Sequence, residues 1–259
     1  MEVSIEQLFK GKPTKIRNKD YFPTKAYVEP FLERMSKFTN DFRVQVKLPD
    51  QITRTVNGDV NIEDITYNRV LIQAVLPEEL AIENHKEVIG LVYGLDVRKP
   101  VAKIYRGALN MACTNLCVFD PSFLNVQFIN PEKGISYRPV ELLMEQADDM
   151  KTMLDNLKNT EWEGNPQNIE SNLGRWIRNA MNCEYNTDYG TIKVGTDVVI
   201  KAYSSMFVDN ESPYFIGEGN NVDMFTVYNA FTELISNDKG KDLMNKVEKT
   251  LLLRNILNF

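Results

Sequence analysis

Hydrophobic and polar positions change their rhythm midway along this chain. Phe42, Val44, Val46 and Leu48 alternate with Arg43, Gln45 and Lys47, the period-two pattern of a strand with one face buried. Asn57-Gly58-Asp59 is a turn signal between 52–56 and 60–65, which predicts a hairpin. Val70 to Leu76 is a continuous apolar run ended by Pro77, as expected of a central strand. Further strands are expected at 87–95, 101–109, 111–119 and 124–129.

From Pro139 the repeat becomes helical. Leu142, Leu143, Ala147, Met150, Leu154 and Leu157 form one stripe of a long helix expected over 139–162. Leu173, Trp176, Ile177 and Ala180 place another over 168–183, and two more fit 223–236 and 241–257. Residues 196–208 fit either a helix or a strand, because Val198, Val199 and Ile200 are β-branched. Strands first and helices afterwards predict an α+β fold: an antiparallel-rich sheet with a mostly helical C-terminal half packed on it.

The first forty residues have a different character. A short helix is expected over 3–9, then a basic segment punctuated by proline that reads as an exposed arm or loop. Thr24 can cap a helix reaching Lys37, with Val28, Phe31, Leu32 and Met35 on its apolar side; Pro30 suggests a start nearer itself. The division expected is therefore a basic arm and helix over 1–40, and one α+β domain over 41–259, sheet-rich at 41–130 and helix-rich at 138–259.

Composition adds limits. An aromatic content of 10% argues for a folded chain. No run approaches the roughly 18–20 apolar residues that a membrane helix needs. The acidic start Met1–Glu6 lacks the features of a secretory signal, and three cysteines, Cys113, Cys117 and Cys183, do not make a disulfide framework. Reduced, buried thiols in a cytoplasm are expected, that of a host cell if the protein is phage-encoded.

No arrangement of reactive groups points to an enzyme. His85 is the single histidine, expected at a surface or helix start, and no nucleophile elbow accompanies it. Neither a Walker-type nor a dinucleotide-type glycine loop is present; Gly217-Glu218-Gly219 is short and acidic. Asp148-Asp149 and the pair Asp209 and Glu211 fit a polar helix face and a loop better than a two-metal centre. No metal or other cofactor is implied, and a carboxylate-metal enzyme would lack a defined ligand set.

Charge is unevenly spread within the net −6. Residues 1–140 carry 19 Lys/Arg against 17 Asp/Glu, and residues 141–259 carry 11 against 19. Between residues 10 and 25, the cations Lys10, Lys12, Lys15, Arg17, Lys19 and Lys25 face Asp20 alone among acids. Phe9, Tyr21, Phe22 and Tyr27 are interleaved with them. Cations that track phosphates, beside aromatic rings on which bases stack, are the ingredients of single-strand binding. A second cluster, Arg98, Lys99, Lys103 and Arg106 with Tyr93 and Tyr105, falls on expected strands and would extend that surface. The plainer alternative is a solvated arm anchored by its aromatics.

Two stretches carry a family resemblance. Tyr105–Asn115, ending in Cys113-Thr114-Asn115, resembles a strand element of a large phage- and plasmid-like family catalogued as a domain of unknown function. Phe225–Leu234, with its Tyr-Asn-Ala core at Tyr228-Asn229-Ala230, is similar to that family's late helix. The resemblance implies a mobile-element setting. Thr114 and Asn115 are expected to satisfy backbone groups at a strand end, and Asn229 and Thr232 to tie the late helix to the sheet. The leading expectation is a phage-type DNA-metabolism protein that binds single-stranded nucleic acid, as a possible homo-oligomer that anneals strands. The alternative is a non-enzymatic phage interaction protein, either a virion component or an inhibitor of host defence.

Overall fold

The computed structural model describes residues 2–16, 19–47, 66–80, 84–95, 100–111, 115–118, 120–130, 133–161, 169–188, 190–216, 222–236 and 243–258. Its centre is an antiparallel sheet made of β3 (Phe42–Val46), β4 (Arg69–Glu79), β5 (His85–Gly94) and β6 (Val101–Asn110) in sequence order. The far side of β6 is lined end to end by two short strands, β7 (Leu116–Cys117) and β8 (Leu124–Phe128). The hairpin expected over 52–65, the Cys113-Thr114 pair and Gly217-Glu218-Gly219 lie outside the described residues.

Both faces of β5 and β6 are covered. In each strand nine of ten residues are buried, which a sheet with one wet face would not allow. The register aligns Val46, Val70, Tyr93 and Ala102 in one row, and Gln45, Leu71, Val92 and Lys103 in the next, on the opposite face. The first face meets the N-terminal elements, with the Tyr27 ring 5.3 Å from that of Tyr93. The second meets the C-terminal segment: Lys103 pairs with Glu248, and Met244 fills the space beside Gly94.

Among the described residues, seven helices follow or flank the sheet: α1 (Ile5–Phe9), α2 (Glu29–Met35), α3 (Arg138–Glu145), α4 (Ala147–Asn159), α5 (Ile169–Asn182), α6 (Thr196–Phe207) and α7 (Met224–Ser236), with an eighth, α8 (Lys246–Leu257), after them. A small hairpin, β9 (Tyr185–Thr187) and β10 (Gly190–Ile192), joins α5 to α6. The segment that fitted two readings is thus a helix, α6. The single long helix expected from 139 to 162 is instead two, α3 and α4, meeting at Gln146 with φ −90° and ψ 23°. Among the described residues of the strand expected over 111–119, Leu116–Cys117 form a strand and Met111 lies in a turn.

The late helix is tied to the sheet as its polar residues suggested. The Cys117 thiol lies 3.6 Å from Asn229 Oδ1 and 3.7 Å from Thr232 Oγ1, and Tyr228 donates to the Val118 and Thr250 carbonyls. Cys117 is buried and Cys183 half-buried, both as free thiols. His85 opens β5 in a buried position, edge-on to Phe225 at 5.0 Å, and not at the surface as expected. The resulting α+β core is continuous from Leu8 to Leu257.

The N-terminal segment is folded against this core. Ser4 caps α1 through a reciprocal box with Gln7, and Val3 donates to the Val44 carbonyl along the edge of β3. The basic stretch that read as an arm or loop is a hairpin of β1 (Thr14–Ile16) and β2 (Lys19–Tyr21). Residues 24–28 form a π-helical turn before α2, whose first turn carries Pro30, so the regular helix does begin near that proline. Among the described residues, no helix is long and apolar enough to cross a membrane.

Candidate nucleic-acid interface

The β1–β2 hairpin sorts its side chains by alternation. Thr14 pairs with Tyr21 and Lys15 with Asp20, so Thr14 and Tyr21 share one face while Lys15 and Asp20 share the other. The first face is fastened to the molecule. Thr14 donates to Asn68 Oδ1 at 2.7 Å, and the Tyr21 hydroxyl donates to that of Tyr27 at 2.6 Å. Tyr27 is fully buried, and its carbonyl accepts from the Tyr137 hydroxyl at 2.5 Å.

This tyrosine cluster is a dry anchor. Burial raises the Tyr27 hydroxyl far above the ordinary tyrosine range, and the hydrogen bond from Tyr21 adds to the effect. Tyr93 and Tyr137 are raised by burial as well, with Arg34 acting in the opposite direction on Tyr137. The Arg34 guanidinium lies 4.7 Å from the Tyr137 ring and 3.6 Å from Glu141, linking α2 to α3. The hairpin is thereby held on a rigid base.

The second face points to solvent. Lys15 and Asp20 are exposed, and Phe22, one step past the ladder on the same side, keeps 45% of its surface in water. The Lys25 ammonium sits 5.6 Å from the Phe22 ring centroid. Lys12 is exposed just before β1, and Lys10 is exposed but paired to Glu6 at 3.2 Å, one helical turn away. Lys25 therefore lies against one exposed aromatic ring, Lys15 and Asp20 share the hairpin face on which that ring follows, and Lys12 is exposed just before the hairpin.

Arg17, Arg98 and Lys99 lie outside the described residues, and of Lys19 only the backbone is placed, in β2. Tyr21 is half-buried with its hydroxyl engaged, so it serves as the anchor. Lys103 and Arg106 are buried, at 0% and 1% exposure, and must be withdrawn from any polyanion interface. The Lys103 ammonium lies 2.5 Å from Glu248 Oε1 and donates to the Met244 carbonyl. Arg106 pairs with Glu87 and donates to the Leu143 carbonyl at the end of α3. Each cation compensates a buried carboxylate and an open helical or turn carbonyl, which is how a charge is tolerated inside a core.

Two further surface features carry chemistry. A cleft of about 290 Å³ at the start of α6 is lined by Asp197, Lys201 and Lys249 over Val194 and Ile235. The Asp197 carboxylate folds back over Gly195, where a side chain would come within 2.3 Å of it, so the cleft carries both signs of charge. On β8, Val126 and Phe128 are exposed on the face shared with Lys103. Among the described residues, no strand pairs with the outer side of β8. No group of three or more His, Cys, Asp or Glu that could hold a metal ion occurs among the described residues.

Phe22 is one of the four aromatics interleaved with the cations, and the composition of the segment alone did not show that it is the exposed one. Its signal was present in the alternation: with Tyr21 anchored inward, its neighbour must point outward. No family model matches this chain, and neither a curated protein nor a solved structure is significantly similar to it.

Proposed function

We propose that this protein binds single-stranded nucleic acid through the solvent face of its N-terminal hairpin. The observation that carries the reading is the exposed Phe22 ring with the Lys25 ammonium against it, on the same face as exposed Lys15 of a hairpin that follows exposed Lys12 and is fastened by tyrosines. Lysines on a fixed base attract phosphates without first paying to order an arm. The acidic C-terminal half, with 11 Lys/Arg against 19 Asp/Glu in residues 141–259, confines that attraction to one region and disfavours indiscriminate coating by polyanions. The resemblance implies a mobile-element setting, and within it the proposed role is phage-type DNA metabolism, where a strand-annealing homo-oligomer would be one working form.

Replacing Lys12, Lys15 and Lys25 together with alanine tests this. The variant should lose affinity for a labelled single-stranded oligonucleotide, and the slope of log affinity against log salt should fall by about 2 for three lost phosphate contacts. Unchanged affinity and slope would remove the hairpin as the site.

A second reading is favoured by Val126 and Phe128 on β8, beside an outer side with no strand paired to it among the described residues. An apolar edge of this kind suits strand addition by a protein partner, and so a non-enzymatic interaction protein. Capture of a virion or host protein that is lost on Phe128→Lys, together with no binding of oligonucleotide at low salt, would put this reading first.

A further inference from the structure

We infer that Phe22 is a base-stacking platform, and that the ligand unit the hairpin recognises is an unpaired nucleobase with its flanking phosphates. The inference rests on the single-strand reading above and gives it a stereochemical basis. Phe22 is 45% exposed although its neighbours Pro23 and Thr24 are buried, so the backbone on its C-terminal side is seated while the ring stands out. Hairpin alternation sets it on the same face as Lys15, and the Lys25 ammonium lies 5.6 Å from its centroid.

These three groups match a nucleotide in chemistry. A base offers a flat π-face that stacks on an aromatic ring whatever its identity, and the adjoining phosphates are met by the exposed ammonium groups of the same hairpin region. Duplex bases are already stacked and paired, so the same ring gains nothing from a double strand. Phosphate contacts alone would bind the two forms with less discrimination. Single-strand preference is therefore assigned to Phe22 and general affinity to the lysines.

The experiment crosses two proteins with two ligands. Wild type and Phe22→Leu, which keeps apolar bulk but removes the aromatic face, are titrated with a labelled oligothymidylate and with an abasic strand of equal length and charge. Phe22→Leu should bind the oligothymidylate roughly tenfold more weakly and the abasic strand as well as wild type does. Phe22→Trp should retain or exceed wild-type affinity for the base-bearing strand, and thermal melts of all variants should coincide with wild type within a few degrees. Equal loss on both strands, or loss on neither, overturns the stacking role. If Lys12→Ala/Lys15→Ala/Lys25→Ala weakens binding while Phe22→Leu does not, only this inference fails. If the lysine variant also binds as wild type does, the single-strand reading fails with it.

Discussion

At Gly90 of β5 a single added methyl group would run into the Tyr105 ring. A Cβ at this position would stand 2.1 Å from Cζ of Tyr105, the residue opposite it on β6. That ring cannot swing away, because it is fully buried and its hydroxyl accepts from Gln73 Nε2 at 3.0 Å. Gly90→Ala should therefore cost about 1–3 kcal/mol, read as a lower denaturant midpoint; an unchanged midpoint would mean that the ring is less constrained than its contacts imply. The buried tyrosines make a second residue-scale prediction. Burial raises Tyr27, Tyr93, Tyr105, Tyr137 and Tyr228 above the ordinary value. The native state thus holds these protons where the unfolded state has begun to release them. Their contribution is complete below the unfolded value near pH 10 and is lost as pH rises above it. Stability from urea melts should decline from about pH 10 upward, with the tyrosinate absorbance of these five residues appearing only with unfolding; titration of all eleven tyrosines in the folded protein would contradict this.

At the scale of elements, the buried pair of Lys103 and Glu248 joins β6 to α8. Removing one partner leaves a charge stranded at 0% exposure, so Lys103→Met should destabilise by about 3–5 kcal/mol. The double variant Lys103→Met/Glu248→Leu should recover much of that loss, and equal stability of single and double variants would show that the charges do not act as a pair. These same residues mark where sequence reading stops. Lys103 and Arg106 looked like surface cations because charged residues usually are. Yet Val101 and Tyr105 flank Lys103 on its own face, and Ala102 and Ile104 occupy the other, so neither face of β6 has a wet pattern. The partner Glu248 comes from a distant stretch that no local pattern links to β6, and Glu87 lies on β5, whose register against β6 the alternation alone does not set. The break between α3 and α4 at Gln146 was hidden for a related reason, since one apolar stripe continues across it. By contrast, β3 to β6 and helices α5, α7 and α8 were legible, because period two and period 3.6 are set by backbone geometry alone.

For the whole molecule, the order of strands and helices announced the α+β architecture, while the placement of the first forty residues was not announced. The sequence pattern 10–25 reads as a loose basic arm, but Thr14, Tyr21 and Tyr27 bind it through Asn68 and Tyr137, residues over 50 and over 100 positions away. Long-range anchoring of this kind leaves no local periodicity to detect. Its consequence is a division of labour: a rigid basic hairpin on a protein whose helical half is acidic. The central claim, that the hairpin binds single strands, is tested most directly by fluorescence anisotropy of a labelled oligonucleotide, titrated with the wild-type protein at several salt concentrations, single strand against duplex. The account predicts tighter binding of the single strand and an affinity that falls steeply as salt rises. No binding at low salt, or equal binding of both forms, would contradict it.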